Sequence, residues 1–156
     1  KLSRGEPNAA RLNFMDLSKA FPRSPKQEMA GLVHLPRIID KGRAYKENKL
    51  ADYIFPCPLD KIILNFLKVD TEVFANMTRD KKDAEINDWA KEQTKSKSQS
   101  DLDFINKQIL ERRPDSEDRL DYFNDLRNKI DPSRTDIDTW ADLIDLEEGR
   151  LPPKKS

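Results

Sequence analysis

The sequence has 156 residues, of which 36% are hydrophobic and 37% are charged, and its formal net charge is zero. A chain of this length suits one domain that buries roughly 70% of its unfolded surface, so it can fold without a metal ion or a disulfide. The single cysteine excludes an intrachain disulfide and a structural zinc site built from several cysteines. The sequence has no run of 18 or more apolar residues, which is what would indicate a transmembrane helix. The core must therefore come from amphipathic stripes.

The charges are unevenly distributed along the chain. Residues 1–50 carry 11 basic and 5 acidic side chains, whereas residues 101–150 carry 8 basic and 15 acidic ones. The two ends could lie across one another in the fold, or the basic end could form a surface for an external anionic partner. The isoelectric point of about 6.8 does not favour nucleic-acid binding.

The termini differ in composition from the rest of the chain. Residues 1–13 contain few apolar side chains and predict an extended or disordered lead-in, and residues 151–156 predict a flexible tail. We therefore expect one domain over residues 14–150. Its expected compartment is the cytoplasm, or an organelle matrix or stroma after processing.

The first half of the chain predicts three helices. Ser24 and Pro25 resemble an N-cap followed by a proline in the first turn, so a helix is expected from there, with a kink or break at Pro36. Residues 53–55 are expected to be extended. Asp60 suits the first turn of a second helix, and Asp70 suits the cap of a third.

The second half predicts four more elements, because apolar residues recur there at helical spacing. Helices are expected over residues 83–93, 101–112 and 116–130, and a last one is expected after a cap at Thr135 or Asp136 and before Gly149. The sequence therefore predicts an all-α fold, a single compact domain of about six to seven short helices with little or no sheet.

One charged cluster is a candidate anion-binding site. On a helix, Arg37 and Lys41 are four residues apart, and Asp40 is three residues from both Arg37 and Arg43. Such cations could hold a carboxylate or phosphate, with Arg23 as a further donor and Asp40 orienting the arginines. The same residues could instead form structural ion pairs with the acidic C-terminal half.

Cys57 and Asp60 are the candidate reactive groups. Cys57 lies between two prolines just before a predicted helix, where the helix dipole would lower a thiol pKa. A free cysteine is also commonly a small buried hydrophobe. His34 is the only histidine and belongs to no recognised ligand motif, so no metal site or cofactor is predicted.

Several motifs carry a family resemblance over most of the domain. They are Pro22-Arg23-Ser24-Pro25, Leu35-Pro36-Arg37-Ile38-Ile39-Asp40-Lys41-Gly42-Arg43-Ala44, Tyr53, Cys57-Pro58-Leu59-Asp60 and Thr139-Trp140-Ala141-Asp142-Leu143-Ile144-Asp145. The chain resembles the family called "domain of unknown function 5069", known mainly from bacteria. The resemblance implies one compact helical unit and supplies no activity, cofactor or partner.

Two functional hypotheses follow. The first is a noncatalytic helical binding or interaction module, such as an accessory subunit that docks on a protein partner, because the familiar enzyme motifs are missing from the sequence. The second is a small enzyme or ligand-binding protein for an anionic metabolite bearing a carboxylate or phosphate. In that case Arg23, Arg37, Lys41 and Arg43 would bind the anion and Cys57 or Asp60 would react.

Overall fold

A computed structural model describes residues 13–151 of the chain. The described residues form one antiparallel hairpin and seven helices, which confirms the all-α prediction. The strands are β1 (Glu28–Met29) and β2 (Leu32–Val33), and the helices are α1 (Leu35–Lys46), α2 (Pro58–Phe66), α3 (Thr71–Asp80), α4 (Asp83–Gln93), α5 (Gln99–Leu110), α6 (Glu117–Ile130) and α7 (Trp140–Glu147). Except for Asn13 and Leu151, the predicted lead-in and tail lie outside the described residues.

The start of the first helix differs from the sequence prediction. The prediction placed its beginning at Pro25, but the chain first forms the short hairpin, whose turn residues Ala30 and Gly31 both have positive φ angles. Helix α1 then begins at Leu35, with Pro36 in its first turn. A proline at this position removes no helical hydrogen bond, because the first amide groups of a helix have no intrahelical acceptor. Pro36 therefore opens the helix and does not break it.

The later helix ends follow local capping chemistry. Asp70 accepts from the Glu72 backbone to cap α3, and α4 has the predicted bounds. Helix α5 runs two residues earlier than predicted because Ser98 caps it. The cap of α7 is Thr139, not the predicted Thr135 or Asp136.

The core has two parts joined by one tryptophan. The larger part contains buried side chains from β2 and from α1 to α5, and the smaller part contains Phe123, Ile137 and Leu143. Trp140, at the start of α7, packs against both parts. Helices α6 and α7 are thereby attached to the larger core.

Helices α1 and α3 cross closely at Gly42. A Cβ atom added to Gly42 would lie 2.8 Å from Thr78 Oγ1 and 3.1 Å from Thr78 Cγ2. Thr78 is fully buried and donates its hydroxyl to the Ala75 carbonyl, so it has little room to rotate away. The glycine thus permits the close approach of α3 to α1, the helix that carries the charged cluster.

We expect Gly42→Ala to lower the free energy of unfolding by about 1 kcal/mol, because overpacking of roughly 1–3 kcal/mol exceeds the helix-propensity gain of about 1 kcal/mol. In a Thr78→Ala background the same substitution should stabilise, since the clashing atoms are gone. Urea denaturation of the four proteins in this cycle measures both effects. Equal effects of Gly42→Ala in the two backgrounds would contradict the contact.

Candidate functional site

Helix α1 buries four charged side chains, which are three of the candidate anion-binding residues and the predicted orienting residue, Asp40. Arg37, Asp40, Lys41 and Arg43 are each at most 7% exposed. Arg37 donates to both carboxylate oxygens of Glu148, at 2.9 and 2.8 Å, and its guanidinium lies over the ring of Tyr53. The first of the predicted cations is therefore held by a carboxylate of the C-terminal region.

The other charges of this cluster also have partners within the chain. Asp40 accepts three hydrogen bonds from Arg23, which also pairs with Asp83. Arg43 forms an ion pair with Asp83 at 3.0 Å and donates to two backbone carbonyls. The structure thus places these cations in internal ion pairs, and the hydrogen bonds of Asp40 hold Arg23.

Lys41 belongs to a second buried group, which we call the Asp60 cluster and which consists of His34, Lys41, Cys57 and Asp60. Asp60 Oδ1 lies 2.7 Å from His34 Nε2, and Asp60 Oδ2 accepts from Lys41 Nζ at 2.6 Å and from the Cys57 backbone amide at 2.9 Å. The last bond is the predicted first-turn role of Asp60 in α2. One carboxylate therefore ties the start of α2 to α1.

Electrostatics fix the protonation states in the Asp60 cluster. Burial disfavours an ionised Asp60, but the His34 hydrogen bond and the Lys41 charge outweigh it and hold the Asp60 pKa well below its usual range. Burial lowers the pKa of His34, so its imidazole is neutral. Because an ionised carboxylate cannot donate, His34 Nε2 carries the proton. The other ring nitrogen, Nδ1, has no hydrogen-bond partner among the described residues.

Cys57 differs from the activated thiol that its position suggested. Burial raises the pKa of its thiol, and the adjacent Asp60 carboxylate raises it further. These effects outweigh the Lys41 charge and the hydrogen bond to the Asp60 backbone, which both lower the thiol pKa. Cys57 is consequently a neutral thiol at pH 7.

Cys57 also lines an open groove of about 460 Å³, which we call the arginine groove. The groove runs between the start of α2, the segment after α5, helix α6 and helix α7. Its lining residues are Ile54, Cys57, Pro58, Leu59, Arg112, Arg113, Asp115, Arg119, Tyr122, Trp140 and Ile144. It joins a mostly apolar wall to three guanidinium groups.

The arginines of the groove are less engaged than those of α1. Among residues 13–151, neither Arg112 nor Arg119 forms an ion pair, and the exposed Arg113 pairs with Asp138 at 3.1 Å. The Arg119 guanidinium lies 4.9 Å from the ring centre of Trp140 and 5.3 Å from that of Tyr122. Two of the three groove guanidinium groups, those of Arg112 and Arg119, therefore form no ion pair within the described residues.

Sequence reasoning did not identify this groove. Arg119 and Tyr122 share a helix face at three-residue spacing, and Arg112 and Arg113 precede a proline, but neither pattern is specific. Trp140 and Cys57 come from distant segments, and only tertiary packing brings them to the same wall.

Comparison with known proteins identifies the family. Residues 19–150 match the family described as Domain of unknown function (DUF5069). The chain belongs to the DUF5069 family. No curated protein matches the chain. The family match covers the Asp60 cluster and the arginine groove, so both lie within the DUF5069 region.

Within residues 13–151, no helix is long and apolar enough to cross a bilayer.

Proposed function

We propose that this protein is a noncatalytic binding protein whose arginine groove holds a small organic anion. The observation that carries the proposal is the pair of guanidinium groups, Arg112 and Arg119, which line the groove and form no ion pair within residues 13–151. Guanidinium groups bind carboxylates and phosphates through paired hydrogen bonds. The ligand chemistry is that of the second sequence hypothesis, but the residues are different.

The shape and lining of the groove support a ligand with an apolar body. Its volume of about 460 Å³ falls within the range of small-molecule sites. Ile54, Leu59 and Ile144 offer aliphatic contacts, and Trp140 and Tyr122 offer aromatic faces. A carboxylate or phosphate attached to an aromatic or aliphatic group would use both kinds of surface.

The state of the candidate reactive groups supports binding without conversion. Asp60 is fully buried, accepts from three donors and has a pKa held well below its usual range, so it is not available as a base. The Cys57 thiol is protonated, because burial and the Asp60 carboxylate raise its pKa and oppose thiolate formation. Neither group has the state that nucleophilic catalysis requires.

A thermal-shift screen tests the proposal with inorganic phosphate, pyrophosphate, citrate and benzoate. We expect at least one of these anions to raise the melting temperature, and Arg112→Ala to weaken its affinity roughly tenfold or more, since a charged hydrogen bond contributes about 1.5–3 kcal/mol. Quenching of the intrinsic fluorescence, to which Trp140 and Trp89 both contribute, gives an independent titration curve.

Arg79→Ala is the matched control, because Arg79 is an exposed arginine that pairs with its neighbour Asp80 and lies outside the groove. The control should bind like the wild type. Equal affinities in the wild type and Arg112→Ala, or no shift with any of the four anions, would contradict the proposal.

The accessory-subunit hypothesis has separate support at the rim of the same groove. Ile54 is 71% exposed and Tyr122 is 51% exposed, and large apolar side chains with this exposure are suited to a protein contact. Gentle isolation from the native source at moderate salt should then retain a stoichiometric partner, and Ile54→Glu should release it. Recovery of a free monomer alone would count against this function.

A further inference from the structure

The Asp60 cluster contains a set of metal-binding donors that the groove proposal does not use. One ligand atom each from His34, Cys57 and Asp60 can be chosen so that all three lie within 4.8 Å of one another. These are nitrogen, sulfur and oxygen donors, the three kinds that zinc accepts in proteins. From this geometry we propose that His34, Cys57 and Asp60 form a binding site for Zn²⁺ or a similar borderline divalent cation.

The spacing of the donors is close to what such an ion needs. From zinc bond lengths of about 2.0–2.3 Å, two ligands of a tetrahedral site lie about 3.3–3.6 Å apart. His34 Nε2 and Asp60 Oδ1 are 2.7 Å apart, so they would have to move apart by about 0.6 Å to reach that spacing. The Cys57 sulfur lies within 4.8 Å of the other two ligand atoms, so it would have to approach them by at most about 1.5 Å.

The surrounding residues suit a metal site in two respects. His34 Nδ1 has no hydrogen-bond partner among the described residues, so one nitrogen of the ring is free of competing bonds. Asp60 can bind the ion through Oδ1 while Oδ2 keeps its bonds to Lys41 and to the Cys57 amide. Such outer hydrogen bonds hold a ligand in its coordinating orientation.

The proton balance of binding is defined. The metal displaces the thiol proton of Cys57, which leaves to solvent, and a metal–sulfur bond forms with no change in oxidation state. If Nε2 is the binding nitrogen, its proton moves to the unpartnered Nδ1 of the same ring. One proton is therefore released per metal ion bound.

The ion can reach the site because Cys57 lines the arginine groove. With three protein ligands, a fourth position remains for water or an anion from that side. Lys41, whose ammonium lies 2.6 Å from Asp60 Oδ2, favours an anionic fourth ligand.

The test uses the complete, untagged chain after treatment with a chelator. Because the sequence contains one histidine and one cysteine, signals from either residue type report on a single position. Titration with Co²⁺ should produce a thiolate-to-cobalt charge-transfer band that saturates at one equivalent and disappears when Zn²⁺ is added. The imidazole NMR signals of His34 should shift in parallel with Zn²⁺ addition.

Cys57→Ala should abolish the cobalt band and weaken zinc affinity by at least about 10- to 100-fold. Loss of a residue that only hydrogen-bonds to a metal ligand already lowers metal affinity by that factor. Cys57→Ser is the second variant and should also lack the band while remaining folded. Mg²⁺, which prefers oxygen ligands, should produce no change in the His34 signals.

Two results would overturn the proposal. One is the lack of a thiolate band in the wild type at stoichiometric Co²⁺. The other is zinc binding that is equally tight in Cys57→Ala or that leaves the His34 signals unchanged, because the ion would then occupy surface carboxylates. Neither result bears on the anion screen, which is done without metal.

Discussion

Asp60→Asn is expected to lower the free energy of unfolding by roughly 3–5 kcal/mol, the cost of breaking a buried ion pair by removing one partner. The substitution keeps the size and shape of the side chain, so the loss measures charge and not packing. Lys41, whose side chain is 3% exposed, would be left as a buried ammonium without its carboxylate. Urea denaturation at pH 7 measures the change.

A double substitution separates charge from shape at this position. In Asp60→Asn with Lys41→Met, both buried charges are gone, so stability should recover by at least half of the loss. Asp80→Asn, at an exposed ion pair with Arg79, is the control and should leave the unfolding midpoint unchanged. A small effect of Asp60→Asn, below about 1 kcal/mol, would show that Lys41 finds another partner or solvent.

Glu148→Gln is expected to cost roughly 3 kcal/mol, at the lower end for a buried pair. Glu148 accepts from Arg37, Tyr53 and Arg150, and its side chain is 1% exposed. Arg37 would retain one bond to the Arg23 carbonyl and its contact with Tyr53, which limits the loss. The change is measured by urea denaturation between pH 3 and pH 7.

The pH dependence of this variant has a definite sign. Burial disfavours the ionised Glu148, but the hydrogen bonds and charge of Arg37 outweigh it and lower the Glu148 pKa from its usual 4.5. The stabilisation is therefore fully present above about pH 4.5 and is lost as the pH falls through the lower folded-state pKa. The gap between wild type and Glu148→Gln should shrink below pH 4.5.

Glu92→Gln is the control for the pH series, because Glu92 is exposed and pairs only with Lys95, three residues away. Its stability should follow the wild-type curve throughout. A gap for Glu148→Gln that stays constant from pH 7 to pH 3 would show that Glu148 is not held ionised by Arg37.

Much of the helical architecture could be predicted from local sequence. Helix α4 has the predicted bounds, and the capping roles of Asp60 and Asp70 follow from a carboxylate near unpaired backbone amides. The hairpin before α1 could not be predicted from local sequence, because its strands have two residues each and show no alternating pattern. Pro36 was misread because a proline favours the first turn of a helix as strongly as it disfavours the interior.

The candidate sites were only partly predictable for a different reason. Helical spacing brought Arg37, Lys41 and Arg43 to one helix, but spacing does not reveal partners that lie far away in the sequence, such as Glu148 and Asp83. One of the two interpretations of the charge asymmetry, that the two ends lie across one another, agrees with the Arg37–Glu148 ion pair. The arginine groove combines four segments, so no local pattern could indicate it.

The separation of Arg37 and Glu148 has a consequence for synthesis on the ribosome. The two residues are 111 positions apart, and Arg150 adds a hydrogen bond to the Pro22 carbonyl near the other end of the domain. While the chain is being made, α1 emerges long before the carboxylate that neutralises its guanidinium. A nascent chain that lacks α7 therefore cannot complete the burial of α1. Folding of the whole domain should occur only after the last residues of the domain have emerged from the ribosome.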